Sequence, residues 1–288
     1  MMSNNERRSP WQVELDDLLR GVSGAFLFGA PFLYTMEVWW KGNFTSPPRM
    51  LFLLALSYVA LIALNRAAGF RAQQGEPWRR TFGDSAEALA IGLITATVSL
   101  LLLGLITFEM GLEPLMGRII MESVPFSIGV GIAYELLHEK GNSEDKEKRQ
   151  ANGGGLWEYT LADMGATALG ATIVAFSIAP TDEIPLIATG LSFPWLLGIM
   201  AASLLLSYII VFEAEFGAQS GRLSQPGLFQ SPFSETVISY LISLLLAALM
   251  LWIFQLLRPD DPLIKWVSYV VVLGLPATIG GAAGRLAI

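Results

Sequence analysis

Eight apolar runs, bounded by charges or by Pro/Gly breaks, fall near residues 20–40, 50–69, 85–108, 117–137, 160–179, 193–213, 234–256 and 265–286. Each is about twenty residues long, enough for a helix to cross about 30 Å of hydrocarbon. The short polar stretches from Glu109 to Gly117 and from Arg258 to Lys265 predict tight hairpins. The stretch HEKGNSEDKEKRQANGGG is charged and ends in three glycines, which predicts a solvated linker. The pattern predicts an all-α membrane protein with eight transmembrane helices. Its divisions are an N-terminal segment (1–19), a first four-helix unit (20–137), a linker (138–159) and a second four-helix unit (160–288).

The two units resemble each other. Gly24-Ala25 and Gly29-Ala30 in the first run match Gly165-Ala166 and Gly170-Ala171 in the fifth. Ser46 and Pro48 precede the second run as Ser192 and Pro194 precede the sixth, and Glu87 opens the third as Glu235 opens the seventh. Pro125 and Gly129 in the fourth run match Pro276 and Gly280 in the eighth. The spacing grows from 141 through 146 and 148 to 151, as small loop insertions would produce. Four helices per unit is an even number, so the expected relation is a parallel repeat about an axis along the membrane normal. Small residues allow close helix approach, and a mid-helix proline frees a carbonyl that needs a receiver. The first, fourth, fifth and eighth helices are therefore expected on the inside.

Composition agrees with a membrane chain. Of 288 residues, 53% are hydrophobic and 15% charged, with mean hydropathy +0.53; a soluble domain carries about 25% charged residues. There is no cysteine and one histidine, His138, which disfavours disulfides, Fe–S clusters and His-rich metal sites. The net charge of -7 and the lack of a basic motif argue against nucleic acid as partner. The polar start lacks the apolar core of a signal peptide, so the first helix is expected to act as the insertion signal. With the N-terminus in the cytoplasm, thirteen of the 18 Lys and Arg fall on that side and five on the other. The positive-inside rule then places both termini in the cytoplasm. Trp39, Trp40, Trp157, Trp195 and Trp266 fall at helix ends as interface anchors, and WQVELDDLL, from Trp11, reads as a short surface helix.

The chemistry rests on acids within this apolar frame. Glu37 lies in LYTMEVWW and Glu122 in IIMESVPF, each about a turn inside the outer boundary, and Asp182 and Glu183 in APTDEIPLIA end the fifth run at a similar level. Taken singly, each is a hydrated interfacial group, with Glu122 paired to Arg118 one turn away. Taken together, they form a carboxylate layer of the kind that concentrates cations. On the cytoplasmic side Glu87, Glu135, Asp163 and Glu235 form a second acidic layer, with Glu213 and Glu215 beside it. Glu87 and Glu235 are placed to cap their helices, and Glu135 with His138 could sense protons. Gly21-Val22-Ser23-Gly24 has the Gly-x-Ser-Gly form seen around the rhomboid protease nucleophile, but the only candidate base is His138.

The stretches RGVSGAFLFGAPFLYTMEVWW and APTDEIPLIA, with the eight-run pattern, resemble a bacterial family of integral membrane proteins of unknown function. The resemblance covers most of the chain. It implies a bacterial inner-membrane location and supplies no activity or site. The expected function is that of a non-enzymatic, multi-pass cation channel or cation-coupled transporter without cofactor. Ca²⁺, Na⁺, K⁺ and H⁺ are all open as its ion, and any metal site is unspecified. Its partners are the bilayer and inorganic cations, with self-association open. The alternatives are a non-transporting sensor or scaffold and, third, an intramembrane enzyme.

Overall fold

The computed structural model describes residues 10–72, 78–138, 156–213 and 232–286. These residues are helical apart from short connections. The elements are α1 (Pro10–Leu33), α2 (Met36–Gly42), α3 (Pro47–Ala72), α4 (Trp78–Leu102) and α5 (Leu112–His138), then α6 (Leu156–Ile178), α7 (Glu183–Gly190), α8 (Phe193–Tyr208, continued by a π turn over Ile209–Glu213), α9 (Pro232–Ile253) and α10 (Leu263–Leu286). Among the described residues six helices are long and apolar enough to cross a membrane: α3, α4, α5, α8 with its π turn, α9 and α10. The bent pair α6–α7 makes a seventh if taken as one span.

The first run differs from the single helix expected over 20–40. Its helix starts at Pro10, so the WQVELDDLL stretch continues into α1 instead of forming a separate surface helix. It also breaks before Glu37. Pro31 lies inside α1, and the chain tightens behind it, with the Tyr34 N–H donating to the Pro31 carbonyl and the Thr35 N–H to that of Phe32. Thr35 is extended (φ -116, ψ 93), and α2 starts afresh at Met36. The fifth run breaks similarly. α6 ends two residues before Pro180, which biases its predecessor away from helix, and α7 leaves at 91° to α6.

The hairpins after α4 and α9 share one construction. Leu105 N–H and Ile106 N–H both reach the Leu100 carbonyl; Leu256 N–H and Leu257 N–H both reach that of Leu251. A left-handed residue closes each helix, Gly104 (φ 66) in the first and Gln255 (φ 63) in the second. This is the Schellman arrangement, in which glycine is favoured because a Cβ crowds that backbone. The matching pairs lie 151 positions apart (104 to 255), as do the starts of α5 and α10 (112 to 263) and the two internal prolines (125 to 276).

Packing bears on two of the matches expected from sequence. A Cβ on Gly24 would come 2.5 Å from the Gly129 carbonyl oxygen, and one on Gly280 would come 2.6 Å from that of Gly170. Gly24 on α1 and Gly170 on α6, 146 positions apart, thus make the same kind of contact. Gly165, the expected match, is exposed, and a Cβ there would meet nothing within 4 Å. Gly29 packs against the Phe126 ring, whereas Gly170, its expected match, packs against Gly280 and Gly284. With 146 as the spacing, Thr35, Glu37, Ser46 and Pro48 fall on Thr181, Glu183, Ser192 and Pro194. Ser57 and Ser203 also correspond, each donating to the carbonyl four residues back at 2.8 Å. Counted back from the two hairpins at 151 positions, Glu235 falls on Asp84 and not on Glu87.

α5 packs against α1, α2, α3 and α4, and α10 packs against α6, α7, α8 and α9. These two helices are the most enclosed, as expected for the fourth and eighth runs; from Val271 to Ala282 every residue of α10 is buried. α1 and α6, also expected inside, are only partly so, since Phe28, Phe32, Leu169, Ile173 and Phe176 are exposed. One apolar core extends through both halves, which meet where α1 touches α10 and the π turn and where α4 touches α8.

Candidate functional site

The breaks between α1 and α2 and between α6 and α7 place one Thr-x-Glu sequence each, Thr35-Met36-Glu37 and Thr181-Asp182-Glu183. Each threonine hydroxyl turns back to its own helix end, Thr35 toward the Pro31 carbonyl at 3.5 Å and Thr181 to that of Ile178 at 2.7 Å. The glutamates reach elsewhere. Glu183 extends across the junction of the halves, and its Oε1 accepts the Met36 N–H at 3.1 Å. A carboxylate here satisfies one of the unpaired N–H groups at the start of α2 and favours its positive end. Glu37 and Asp182 are exposed, and Glu183 is half-buried. Asp182, at the N-cap position of α7, makes no capping hydrogen bond.

A second link joins the halves one residue before the first break. Tyr34 is buried and donates its hydroxyl to the Val272 carbonyl at 2.7 Å. Val272 lies four residues before Pro276, so its carbonyl is the one the proline leaves without an amide partner. The sequence pattern indicated that such a carbonyl needs a receiver, but not that it would be a tyrosine from the other half.

Glu122 stands apart from this outer group. It is fully buried on α5, about 15 Å along the helix from Leu112 at about 1.5 Å per residue. This is near the middle of the span Leu112–Ala133, deeper than the single turn expected from sequence. Both carboxyl oxygens lack a hydrogen-bond partner among the described residues. Arg118, its expected partner, is engaged elsewhere: Nε donates to Asn43 Oδ1 at 2.7 Å and Nη1 to the Leu105 carbonyl. The guanidinium also lies 5.3 Å from the centre of the Trp39 ring. Trp39 is buried against α5 with its indole N–H unpartnered, and is not the interfacial anchor expected.

The inner acids are organised around a residue that sequence reading passed over. Arg285, fully buried in the last turn of α10, pairs with Glu235 and lies 3.6 Å from Asp163. It donates to Ser239 Oγ at 3.2 Å and has the Phe212 ring 5.5 Å away. In the first half Asp17, 146 positions before Asp163, pairs with Arg20 at 2.6 Å. The only signal for Arg285 was an arginine closing a helix that is uncharged from Trp266 to Gly284. Glu87 is exposed. Glu135 and His138 belong to the last turns of α5, and their side chains lie outside the described residues, as does Glu215. Ser23 is buried, with its hydroxyl donated to the Leu19 carbonyl at 2.8 Å. Among the described residues no three His, Asp or Glu side chains converge to hold a metal ion.

A family model described as "Putative integral membrane protein (DUF2391)" matches residues 17–288. No curated protein and no solved structure matches the chain.

Proposed function

Because the chain belongs to this family of integral membrane proteins, we propose that it passes cations across a bacterial inner membrane, as a channel or a cation-coupled transporter. In this reading α1, α3, α4, α5, α6, α8, α9 and α10 are eight crossings, and α2 and α7 are short helices at the outer ends of α1 and α6. The crossings form two parallel four-helix units with both termini in the cytoplasm. The constant spacing of 146 from Gly24 to Pro48 and of 151 from Asp84 to Gly129 supports the duplication. One five-residue difference, between the end of the second helix and the start of the third, accounts for both values.

The observation that carries the reading is the Glu183–Met36 hydrogen bond between the two helix breaks. Interrupted helices expose backbone groups that lipid does not satisfy, so in membranes they are confined to protein-lined or watered sites, where transporters hold ions. Here the two interruptions meet, and they bring Glu37, Asp182 and Glu183 to one side of the bundle. Carboxylates grouped in this way attract cations and can replace part of their hydration. The inner acids Asp163 and Glu235 are read as serving a different purpose, since both are paired with Arg285. The test is flux of Ca²⁺, Na⁺, K⁺ and H⁺ into liposomes holding the purified chain. Flux of at least one cation above that of empty liposomes is expected, and none for any of the four would leave the sensor or scaffold reading.

A further inference from the structure

Glu122 is the buried acid that no ion pair or hydrogen bond accounts for. Its counterpart in the second half, 151 positions on, is Leu273, also fully buried. The helix packing is thus satisfied by an apolar side chain of similar size, and the carboxyl of Glu122 serves something other than the fold. An unpaired carboxylate taken from water into an apolar interior is costly, and it is relieved by a counter-charge or by a proton.

The surroundings separate these two cases. α1 and α5 run antiparallel, with Gly24 against Gly129 and Gly29 against Phe126. That register brings Glu122 to the level of Leu33, where α1 ends. The titratable and charged groups on the elements packed against this stretch are few. α1 offers Tyr34, bonded to Val272. α2 offers Glu37 and Lys41, both exposed. α3 offers the exposed Arg49, and Tyr58, bonded to the Phe82 carbonyl. α4 carries no charge from Ala88 to Leu102. On α5, Arg118 is turned to Asn43 and Leu105, and Glu113 is exposed. Among the described residues no cation reaches Glu122.

Nor, among the described residues, do His, Asp or Glu side chains gather with Glu122 to hold a metal ion. A hard metal cation takes about six or more oxygens. Next to Glu122 on α5, the Ser123 hydroxyl is committed to the Ile120 carbonyl at 2.8 Å. The oxygens left are the Ser127 hydroxyl and the Met121 carbonyl, which Pro125 deprives of its amide. In the second half the equivalent carbonyl receives Tyr34, but Pro180 stands at the position matching Tyr34 and has no hydrogen to give. The Met121 carbonyl thus lacks the tyrosine donor that its counterpart has. A proton needs no more than one carboxyl oxygen, and the carboxyl it forms can itself donate a hydrogen bond.

We propose that Glu122 is a proton-binding site, so that the cation handled by the pathway is H⁺. The assignment of the ion rests on the transport reading above; the binding of the proton does not. The test is infrared spectroscopy of the full chain in lipid, together with dissipation of an imposed pH gradient by the same liposomes. A protonated-carboxyl C=O band is expected at neutral pH, lost in Glu122→Gln and shifted in Glu122→Asp. Gradient dissipation without Na⁺ or K⁺ should be lost in Glu122→Gln and partly recovered in Glu122→Asp. The Glu122→Asp shift keeps the assignment testable should Glu122→Gln fold poorly. A band identical in all three proteins, no such band in wild type, or one that sodium removes at fixed pH would overturn the proposal. A Glu122 band without any gradient dissipation would uphold proton binding while removing H⁺ as the ion of the pathway. Sodium flux without the band would uphold the transport reading while removing proton binding.

Discussion

Tyr34 at the end of α1 donates its hydroxyl to the carbonyl of Val272 on α10, 2.7 Å away and 238 positions along the chain. Pro276 creates the need for this bond, and the break after Tyr34 brings the donor to it. Tyr34→Phe should therefore leave a buried carbonyl unpaired and cost roughly 1–3 kcal/mol, read as a lower melting temperature in detergent. Restoring the amide with Pro276→Ala should make Tyr34→Phe much less costly. Equal effects of Tyr34→Phe in both backgrounds would mean that the proline and the tyrosine are independent.

The revised helix register gives a sharp steric contrast. Gly170→Ala puts a Cβ against the Gly280 carbonyl, and Gly24→Ala puts one against Gly129 and Ala133, where backbone cannot retreat. Each should cost about 1–3 kcal/mol or more, as overpacking does. Gly165→Ala meets open space and should leave stability unchanged or slightly raised, because alanine favours helix over glycine by about 1 kcal/mol. Thermal unfolding of the three variants decides it. A Gly165→Ala loss as large as that of Gly170→Ala would restore the register first expected.

That register shows what the sequence pattern could and could not carry. Helix positions were legible because apolar runs and charged boundaries mark them, and α5 and α10 were recognised as inner from Pro125 and Pro276. The Gly-Ala pairs recur every five residues in both α1 and α6, so a slip of one repeat is invisible until Gly24 is seen against Gly129. Glu87 and Glu235 misled similarly, since an acid three residues away, Asp84, serves as well on a helix. Glu37 and Glu183 were identified singly, but not as equivalent positions, because that depended on the slipped register. Arg285 was missed because its partners Asp163 and Glu235 are brought to it by tertiary packing.

Arg285 is expected to be structural. Removing one member of a fully buried charge group costs about 3–5 kcal/mol, and the partial exposure of Asp163 and Glu235 reduces this to about 1–3 kcal/mol through solvent screening. Arg285→Met should destabilise by roughly that much, whereas Glu87→Gln, at an exposed site, should change stability little. Chemical unfolding in detergent provides the comparison. Equal stability of Arg285→Met and wild type would return Asp163 and Glu235 to the list of pathway candidates.

Orientation can be tested independently, since the chain has no cysteine. Single cysteines at Asn43, after α2, and at Thr189, in the exposed end of α7, should react with an impermeant thiol reagent applied outside intact cells. A cysteine at Asn152 should react only after lysis. Outside labelling at 152 would invert the topology and move both helix breaks to the cytoplasmic face.

The paired helix breaks as a cation entrance are tested most directly by the salt dependence of flux in the double variant Asp182→Asn, Glu183→Gln. The substitutions preserve size, and the amide oxygen introduced at position 183 can still accept the Met36 N–H, so the change is chiefly one of charge. The field lost is screened within about 10 Å at 0.1 M salt. Proteoliposome cation flux should therefore fall most at low ionic strength and approach the wild-type value as salt is raised, with folded protein yield unchanged. Wild-type flux by the well-folded double variant at every ionic strength would contradict the entrance.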